Sequence, residues 1–133
     1  MNILDEIIAH KRKEIADRKR AFPIEVLKRT ELYAAPAISL TEFLRRKDKT
    51  GIIAEFKRMS PSKGIINANA SVETTMRGYA DAGASGLSVL TDEKFFGGSN
   101  DDLLRARKVN ACPILRKDFT IDEYQVAEAK SVG

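Results

Sequence analysis

The sequence holds few of the residue types that build disulfides, metal centres and nucleophilic triads. Cys112 is the one cysteine and His10 the one histidine. This excludes an internal disulfide and a cysteine-based zinc site, and leaves a Ser-His-Asp triad or a histidine-rich metal site little to build on. Because Cys112 precedes Pro113 at a predicted strand start, we expect a small core residue in a reducing compartment. We therefore expect no bound metal.

Long apolar runs and tryptophan are also missing. No stretch approaches the ~20 residues that span a membrane, and the acids in the opening MNILDEIIAHKRK are unlike a secretory signal peptide. The chain is 43% hydrophobic and 32% charged over 133 residues, which is enough for one domain with a core. We expect a cytoplasmic location and no contact with membranes.

Positive charge is in excess, with a formal net charge of +4 that comes from residues 1–50. It clusters in the basic runs 11–13 and 18–20. Basic clusters can contact nucleic acid, but Glu14 and Asp17 interrupt this one and no aromatic residues are interleaved. A solvated helix face is the favoured interpretation, and we expect no nucleic-acid partner.

Residues 1–50 carry helical signals throughout. Apolar residues at helical spacing, with Asn2 as a cap, predict a helix over 2–20. Pro23 favours the first turn of a second short helix, and Ser39 followed by a glutamate three residues later is a capping-box pattern for a third. We predict a helical N-terminal extension that ends near residue 50.

The second part of the chain changes to strand–helix units. Strands predicted near 52–56, 85–90 and 113–117 start about 30 residues apart, the size of a βα unit. Such units imply parallel strands. Polar residues follow each strand, where sites lie both in doubly wound sheets and in (β/α)₈ barrels, so periodicity leaves both architectures open. The candidate helix caps are Ser71 and Thr120, the latter in a capping-box pattern with Glu123.

The organising stretch is residues 51–64, which reads GIIAEFKRMSPSKG. Its apolar start predicts a buried strand, and alternation places Glu55 and Lys57 on one face together with Ile53. Two charges at a buried strand end cost several kcal/mol per ion unless they are paired or functional. The segment 60–64 adds hydroxyls and a lysine that suit an anionic small molecule. A structural Glu–Lys pair capping the strand stays open as the alternative.

Three blocks follow one another along the chain: AEFKRMSPSKG, YADAGASGLSVLTDEKFFGGS and ILRKDFTIDEYQVAEAKSVG. In this order and spacing they resemble the first three βα units of the indole-3-glycerol-phosphate synthase family. The resemblance covers essentially the whole chain. It implies an α/β fold, the N-terminal portion of a (β/α)₈ TIM barrel, with 1–50 as a helical extension and 51–133 as three parallel βα units.

The resemblance also implies a reaction, the lyase step of tryptophan biosynthesis that closes the indole ring. The substrate would be 1-(2-carboxyphenylamino)-1-deoxyribulose 5-phosphate, which loses carbon dioxide and water without any cofactor. A TIM barrel needs eight strands and about 250 residues, and in the family a general-base glutamate, an asparagine and the main phosphate-binding groups lie on later strands. We therefore expect an N-terminal portion that is inactive alone and self-associates through open sheet edges and an uncovered face.

Individual roles follow from the same resemblance. It implies that Lys117 is the acid in ring closure and that Lys57 holds the substrate carboxylate and assists dehydration. Glu55 would hold the lysines in position and assist loss of the hydroxyl. Arg58 and Arg116 alternate to the opposite face and stay outside the set. The substrate-binding residues that it implies are Ser60, Pro61, Phe96 and Phe119, the last three forming an apolar slot for the anthranilate ring.

The residues alone leave simpler roles open. Phe96 could anchor a loop, Phe119 could plug a core, and Lys63 could be merely solvated. Another phosphosugar enzyme of the same fold, such as an isomerase, is a competing function, although it would not need the glutamate and both lysines together. A non-catalytic folded remnant is a second competitor. Titrating a substrate analogue into this chain and into a full-length chain would separate these possibilities.

Overall fold

The chain is helical up to residue 45 and alternates between strands and helices from residue 53. The computed structural model describes all residues, 1–133. No helix is both long enough and apolar enough to cross a membrane. The helices are α1 (Ile3–Ala21), α2 (Ile24–Leu27), a 3₁₀ helix (Glu31–Ala34), α3 (Leu40–Arg45), α4 (Val72–Asp81), α5 (Asn100–Lys108) and α6 (Glu123–Ser131). The strands are β1 (Ile53–Phe56), β2 (Met59–Ser60), β3 (Gly64–Ile65), β4 (Gly86–Leu90) and β5 (Ile114–Lys117).

The chain forms two compact units, residues 37–118 and residues 1–36 together with 119–133. The 37–118 unit contains a three-stranded sheet of order β1-β4-β5, in which both pairs are parallel. This confirms the prediction that the three strands are parallel, adjacent and in chain order. The arrangement is that of the N-terminal portion of a (β/α)₈ barrel, an α/β fold whose sheet does not close.

One face of this sheet forms the core of the 37–118 unit. Phe56, Leu87 and Val89 point to it and are buried, and α4 and α5 pack against β1 and β4. From α4, Met76 is also fully buried. Burying each such side chain contributes roughly 1.5–3 kcal/mol. Cys112 is buried as well, which confirms the expectation of a small core residue.

Helix caps in this unit follow the sequence. The Ser71 hydroxyl accepts the N–H of Thr74 at the start of α4, as predicted. The Ser99 hydroxyl does the same for Asp102 in α5. After α4, Gly83 has a φ of 92°, the left-handed conformation in which glycine ends helices at little cost. These signals fix where α4 and α5 begin and where α4 ends.

The other unit is helical, and its core consists of Ile15, Leu27, Tyr124 and Ala127. Its first helix begins as predicted: the Asn2 side chain accepts the N–H of Asp5, whose carboxylate accepts the N–H of Asn2. At the other end of α1, the Tyr124 hydroxyl lies 2.7 Å from the carbonyl oxygen of Phe22 and 3.2 Å from that of Arg18. A side chain from α6 therefore donates to the Phe22 carbonyl just beyond the helix end, while the Arg18 carbonyl also accepts the Phe22 N–H.

Two sequence expectations for this unit are wrong. Thr120 does not cap α6. The helix begins later, and Asp122 caps it by accepting the N–H of Tyr124 at 2.8 Å, with Gln125 as the reciprocal partner. The basic run 11–13 is not wholly solvated either, because Lys11 lies on the buried stripe of α1 and is fully buried. Its ammonium is 2.6 Å from the Glu14 carboxylate, so a carboxylate one turn away balances the buried charge.

Candidate active site

The candidate catalytic residues lie at the C-terminal end of the parallel sheet. Glu55 is the cross-strand neighbour of Ser88, and two residues further along β4, Leu90 is the neighbour of Lys117. Lys57 lies two residues after Glu55, directly beyond the end of β1, and is exposed. Strands about 4.8 Å apart put β5 roughly 10 Å from β1, a separation that a small organic molecule can bridge.

We call the face opposite α4 and α5 the inner face; it carries Ile53, Glu55, Ser88, Leu115 and Lys117. Its residues on the two outer strands are open to water, with exposed fractions of 40% for Ile53 and 41% for Leu115, whereas Ser88 on the middle strand is buried. This confirms that apolar residues of the inner face meet solvent. The expectation of a buried strand end is wrong for this chain. Glu55 is exposed, and so the desolvation cost of a buried ion does not arise.

Glu55 is held by a neighbouring strand. The Ser88 hydroxyl donates to Glu55 Oε2 at 2.9 Å. The backbone of β1 is fixed at the same residue, because the Tyr79 hydroxyl from α4 donates to the Glu55 carbonyl at 3.1 Å. Both the main chain and the carboxylate of Glu55 thus have defined hydrogen-bond partners.

The segment after β1 forms a small antiparallel hairpin of β2 and β3. Ser60 pairs with Gly64 across β2 and β3. The Ser60 hydroxyl accepts the N–H of Lys63 at 3.2 Å and lies 3.4 Å from the Ser62 hydroxyl. Ser60 is buried, while Pro61 and Lys63 at the tip are exposed. Ser60 therefore stabilises the turn, and the tip offers Pro61 to solvent.

The loop 91–99 between β4 and α5 folds back tightly over the strand end. A Cβ atom at Gly98 would lie 1.9 Å from the Leu90 carbonyl oxygen, so only glycine fits. The Gly98 N–H donates to the Asp92 carbonyl at 2.8 Å, and the Asp92 carboxylate accepts the N–H of Phe95 at 2.8 Å. Phe96 is half-buried in this loop, next to its most constrained turn.

Arg58 joins this loop to the end of β1 from the other side of the sheet. Its guanidinium makes a two-pronged ion pair with Asp102 and lies 3.4 Å from the Gly97 carbonyl oxygen. It also stacks 4.8 Å from the centre of the Phe56 ring. Bidentate arginine–carboxylate pairs are geometrically specific, so Arg58 fixes the backbone directly after Lys57. This agrees with the alternation argument, which left Arg58 out of the catalytic set.

The chain after Lys117 is anchored in a similar way. The Thr91 N–H donates to the Lys117 carbonyl at 3.1 Å, and the Thr91 hydroxyl donates to the Asp118 carboxylate at 2.6 Å. Arg116 donates to the Asn100 side chain at 3.1 Å and thus faces the helix layer, as alternation predicts. The Lys117 side chain itself is exposed on the inner face.

Phe119 belongs to the helical unit rather than to the sheet unit. Its carbonyl accepts a hydrogen bond from Gln125 Nε2 at 2.9 Å, and its side chain is half-buried. Along the chain it follows Lys117 by two residues. In the sheet unit, Glu55, Lys57 and Lys117 thus lie at the C-terminal ends of β1 and β5. Ser60 and Pro61 lie in the hairpin after β1, and Phe96 lies in the loop after β4.

Sequence reasoning missed the partners that hold these groups. Ser88 was not selected, although alternation along β4 places it on the same face as Glu55. Asp102 and Thr91 were missed because their partners are 44 and 27 residues away in sequence. These pairs are brought together by the strand register and the path of the loop, so no local sequence pattern predicts them.

Residues 4–133 match the family model described as indole-3-glycerol phosphate synthase. The chain belongs to the indole-3-glycerol phosphate synthase family. Its Bacteroides thetaiotaomicron relative of that name is 52% identical over 132 residues. Those of Neisseria meningitidis and Burkholderia ambifaria are 43% and 46% identical over 135 and 138 residues.

Each alignment covers 99% of this chain but only 50–52% of the relative. The chain therefore spans about half the length of the curated relatives that it matches. The match includes all three strands of the parallel sheet and the two loops that carry Ser60, Pro61 and Phe96. Membership in the indole-3-glycerol phosphate synthase family thus rests on the whole described chain rather than on one short motif.

Proposed function

We propose that this chain supplies the first three βα units, 51–133, of an indole-3-glycerol phosphate synthase, with 1–50 as its helical extension. The reaction would close the indole ring of 1-(2-carboxyphenylamino)-1-deoxyribulose 5-phosphate with loss of carbon dioxide and water, without a cofactor. The observation that carries the proposal is the common location of Glu55, Lys57 and Lys117 at the C-terminal end of one parallel sheet. In barrels of this kind, that end is where catalysis occurs.

Ring closure needs a proton for the ketose carbonyl while an aromatic carbon attacks it. We assign this proton to Lys117, because an ammonium at a strand end can act as a general acid when the substrate lies across the sheet. Lys57 would hold the substrate carboxylate and assist the later loss of water. Glu55 would keep the lysines in position and help the hydroxyl to leave.

The anthranilate ring needs an apolar slot, and Pro61, Phe96 and Phe119 would form it, with Ser60 contacting the substrate. Pro61 and Phe96 lie in the loops that follow β1 and β4, which supports their part of the slot. Flat aromatic surfaces suit a planar ring. A substrate analogue bearing the carboxylate but not the ring would therefore lose most of its affinity if the slot is correctly assigned.

We also propose that the 133 residues alone do not turn over substrate. The resemblance assigns the general base and the main phosphate-binding groups to later strands, and phosphate binding energy normally helps to position the reacting centre. The site would work in a reducing cytoplasm, in keeping with the single buried thiol of Cys112. The exposed inner face and the two sheet edges would make the isolated chain pair with a second copy.

The test is indole-glycerol-phosphate fluorescence. It is measured for this chain, for its mixture with a chain that supplies the later strands, and for the same mixture carrying Lys117→Ala. We expect no product from the chain alone, measurable product from the mixture, and loss of that product with Lys117→Ala. Robust product from the 133 residues alone would contradict the proposed division of the site, and an active Lys117→Ala mixture would contradict the role of Lys117.

A further inference from the structure

Ser88 is a buried polar side chain on the inner face, and nothing in the proposed reaction uses it. It lies between Gly86 and Leu90 on the same face of β4 and is 3% exposed. A buried hydroxyl without a hydrogen-bond partner is costly, so the partner it takes is informative. That partner is Glu55 Oε2, at 2.9 Å.

The location of this hydrogen bond matters for the site. Ser88 and Glu55 are direct cross-strand neighbours, so the bond turns the glutamate towards β4. This strand lies between β1, which leads to Lys57, and β5, which ends at Lys117. An exposed glutamate without such a donor would sample many rotamers in solvent, because long polar side chains lose considerable entropy when they are fixed.

We propose that Ser88 is a positioning residue, which holds the Glu55 carboxylate over the middle strand, between the two lysines. The inference rests on the proposed function. The hydroxyl occupies Oε2 and leaves Oε1 available to an ammonium group. Ser88 does not touch the substrate in this arrangement, and its effect on the reaction passes through Glu55.

A purely structural serine would look the same in a static view, so the test must isolate the hydroxyl. Ser88→Thr keeps a hydroxyl and Ser88→Val has nearly the same shape without one, and both side chains suit a strand. Any strain from the added methyl group is therefore common to the pair. Ser88→Ala removes the hydroxyl without adding volume.

The first measurement is the side-chain conformation of Glu55 in this chain, from NMR couplings and carboxyl carbon shifts. We expect one dominant Glu55 rotamer in the unmodified chain and in Ser88→Thr, and averaged rotamers in Ser88→Ala and Ser88→Val. The same Glu55 rotamer in Ser88→Thr and Ser88→Val would overturn the proposal. This comparison does not depend on activity, so it decides the positioning role even if the proposed reaction is wrong.

The second measurement uses an active family-length enzyme whose first half is this chain. We expect Ser88→Val to lower kcat roughly threefold to thirtyfold relative to Ser88→Thr, with KM little changed, because hydrogen bonds to charged groups are among the stronger ones. In a Glu55→Ala background, Ser88→Ala should cause no further loss. An equal loss of kcat in both backgrounds would mean that Ser88 acts independently of Glu55, and would overturn the inference.

Discussion

The two faces of the three-stranded sheet have opposite environments, although the same three strands build both. On the face covered by α4 and α5, Leu87 and Val89 are fully buried. On the inner face, Leu115 is 41% exposed, and the charged Glu55 and Lys117 lie beside it. Alternation sorts the side chains between the two faces, since successive residues of a strand point to opposite sides, and the packing of α4 and α5 on one face buries that set.

The two faces of the sheet thus have separate roles, one in stability and the other in the proposed chemistry. The covered face buries apolar surface against helices of the same βα units. Its stability therefore depends on contacts between elements that are close in sequence. On the inner face, Leu40 of α3 lies against Gly86 at the start of β4. The polar residues proposed for catalysis lie further along the strands, where Glu55 and Lys117 are exposed. Arg58, between Lys57 and the hairpin, shows the boundary clearly: its side chain turns to the covered face and pairs with Asp102, while its neighbour Lys57 is exposed.

The largest expected effect is on turnover. In a family-length enzyme, Lys117→Ala should lower kcat by about 10² to 10⁴, the usual span for a lost general acid, with a smaller change in KM. Lys63→Ala, which removes an exposed lysine at the hairpin tip, is the matched control and should leave kcat nearly unchanged. Steady-state kinetics measures both, and near-normal turnover in Lys117→Ala would remove Lys117 from its role.

The second effect concerns stability, and a pair of leucines tests it. Leu87→Ala on the covered face should lower the free energy of unfolding by about 2–5 kcal/mol, because it deletes a fully buried side chain. Leu115→Ala on the inner face should cost about 1 kcal/mol or less, since that side chain is already partly in water. Urea titrations of the 133-residue chain supply both values, and equal losses would mean that the faces are not distinct.

The third effect concerns association. Leu115→Lys places a charge on the inner face and should weaken self-association of this chain by roughly tenfold, because burying an unpaired charge is unfavourable. The exposed Val126→Lys in α6 is the control, since it adds the same charge to the helical unit rather than to the sheet unit. Sedimentation velocity across a concentration series gives the comparison. A chain that stays monomeric at every concentration would show that the inner face does not drive pairing.

The smallest effect is in the helix layer and depends on pH. The Arg105 guanidinium donates to both carboxylate oxygens of Glu73 and lowers the pKa of Glu73 to about 2. Since the unfolded chain has a glutamate pKa of about 4.3, the ion pair contributes stability above that pH and loses it as the pH falls towards 2. Glu73→Gln should flatten this part of the stability curve, shifting the acid midpoint by roughly a few tenths of a pH unit. Circular dichroism during an acid titration measures this midpoint. An identical curve for Glu73→Gln and the unmodified chain would contradict the prediction.

The strands and most helix ends could be predicted from the sequence because their causes are local. Ser71 and Asn2 precede apolar runs at helical spacing, and each accepts the backbone N–H that a cap should accept. Where two candidate caps compete within a few residues, local pattern is not sufficient. Thr120 and Asp122 both precede α6, and Asp122 is chosen because Gln125 completes the reciprocal bond.

Sequence reasoning selected the charged residues of the candidate site but not the side chains that hydrogen-bond to them. Alternation from Ile53 puts Glu55 and Lys57 on one face, and the same reasoning applies to Lys117 from Leu115. The exposed state of that face depends on which elements are present to cover it, which alternation cannot show. The Ser88–Glu55 bond depends on strand register, and register is set by contacts over 33 residues of sequence.

The helical unit is built from the two ends of the chain, and this affects the order in which the parts of the chain can fold during translation. Its two parts, residues 1–36 and 119–133, are separated by the whole sheet unit, 37–118. The Tyr124 hydroxyl, which donates to the Phe22 carbonyl just after α1, comes 102 residues after that partner. At about 5–20 residues per second, a ribosome needs roughly 5–20 seconds to cover that interval. During translation α1 is therefore made well before its partner helix α6. The sheet unit is contiguous in sequence and can fold first.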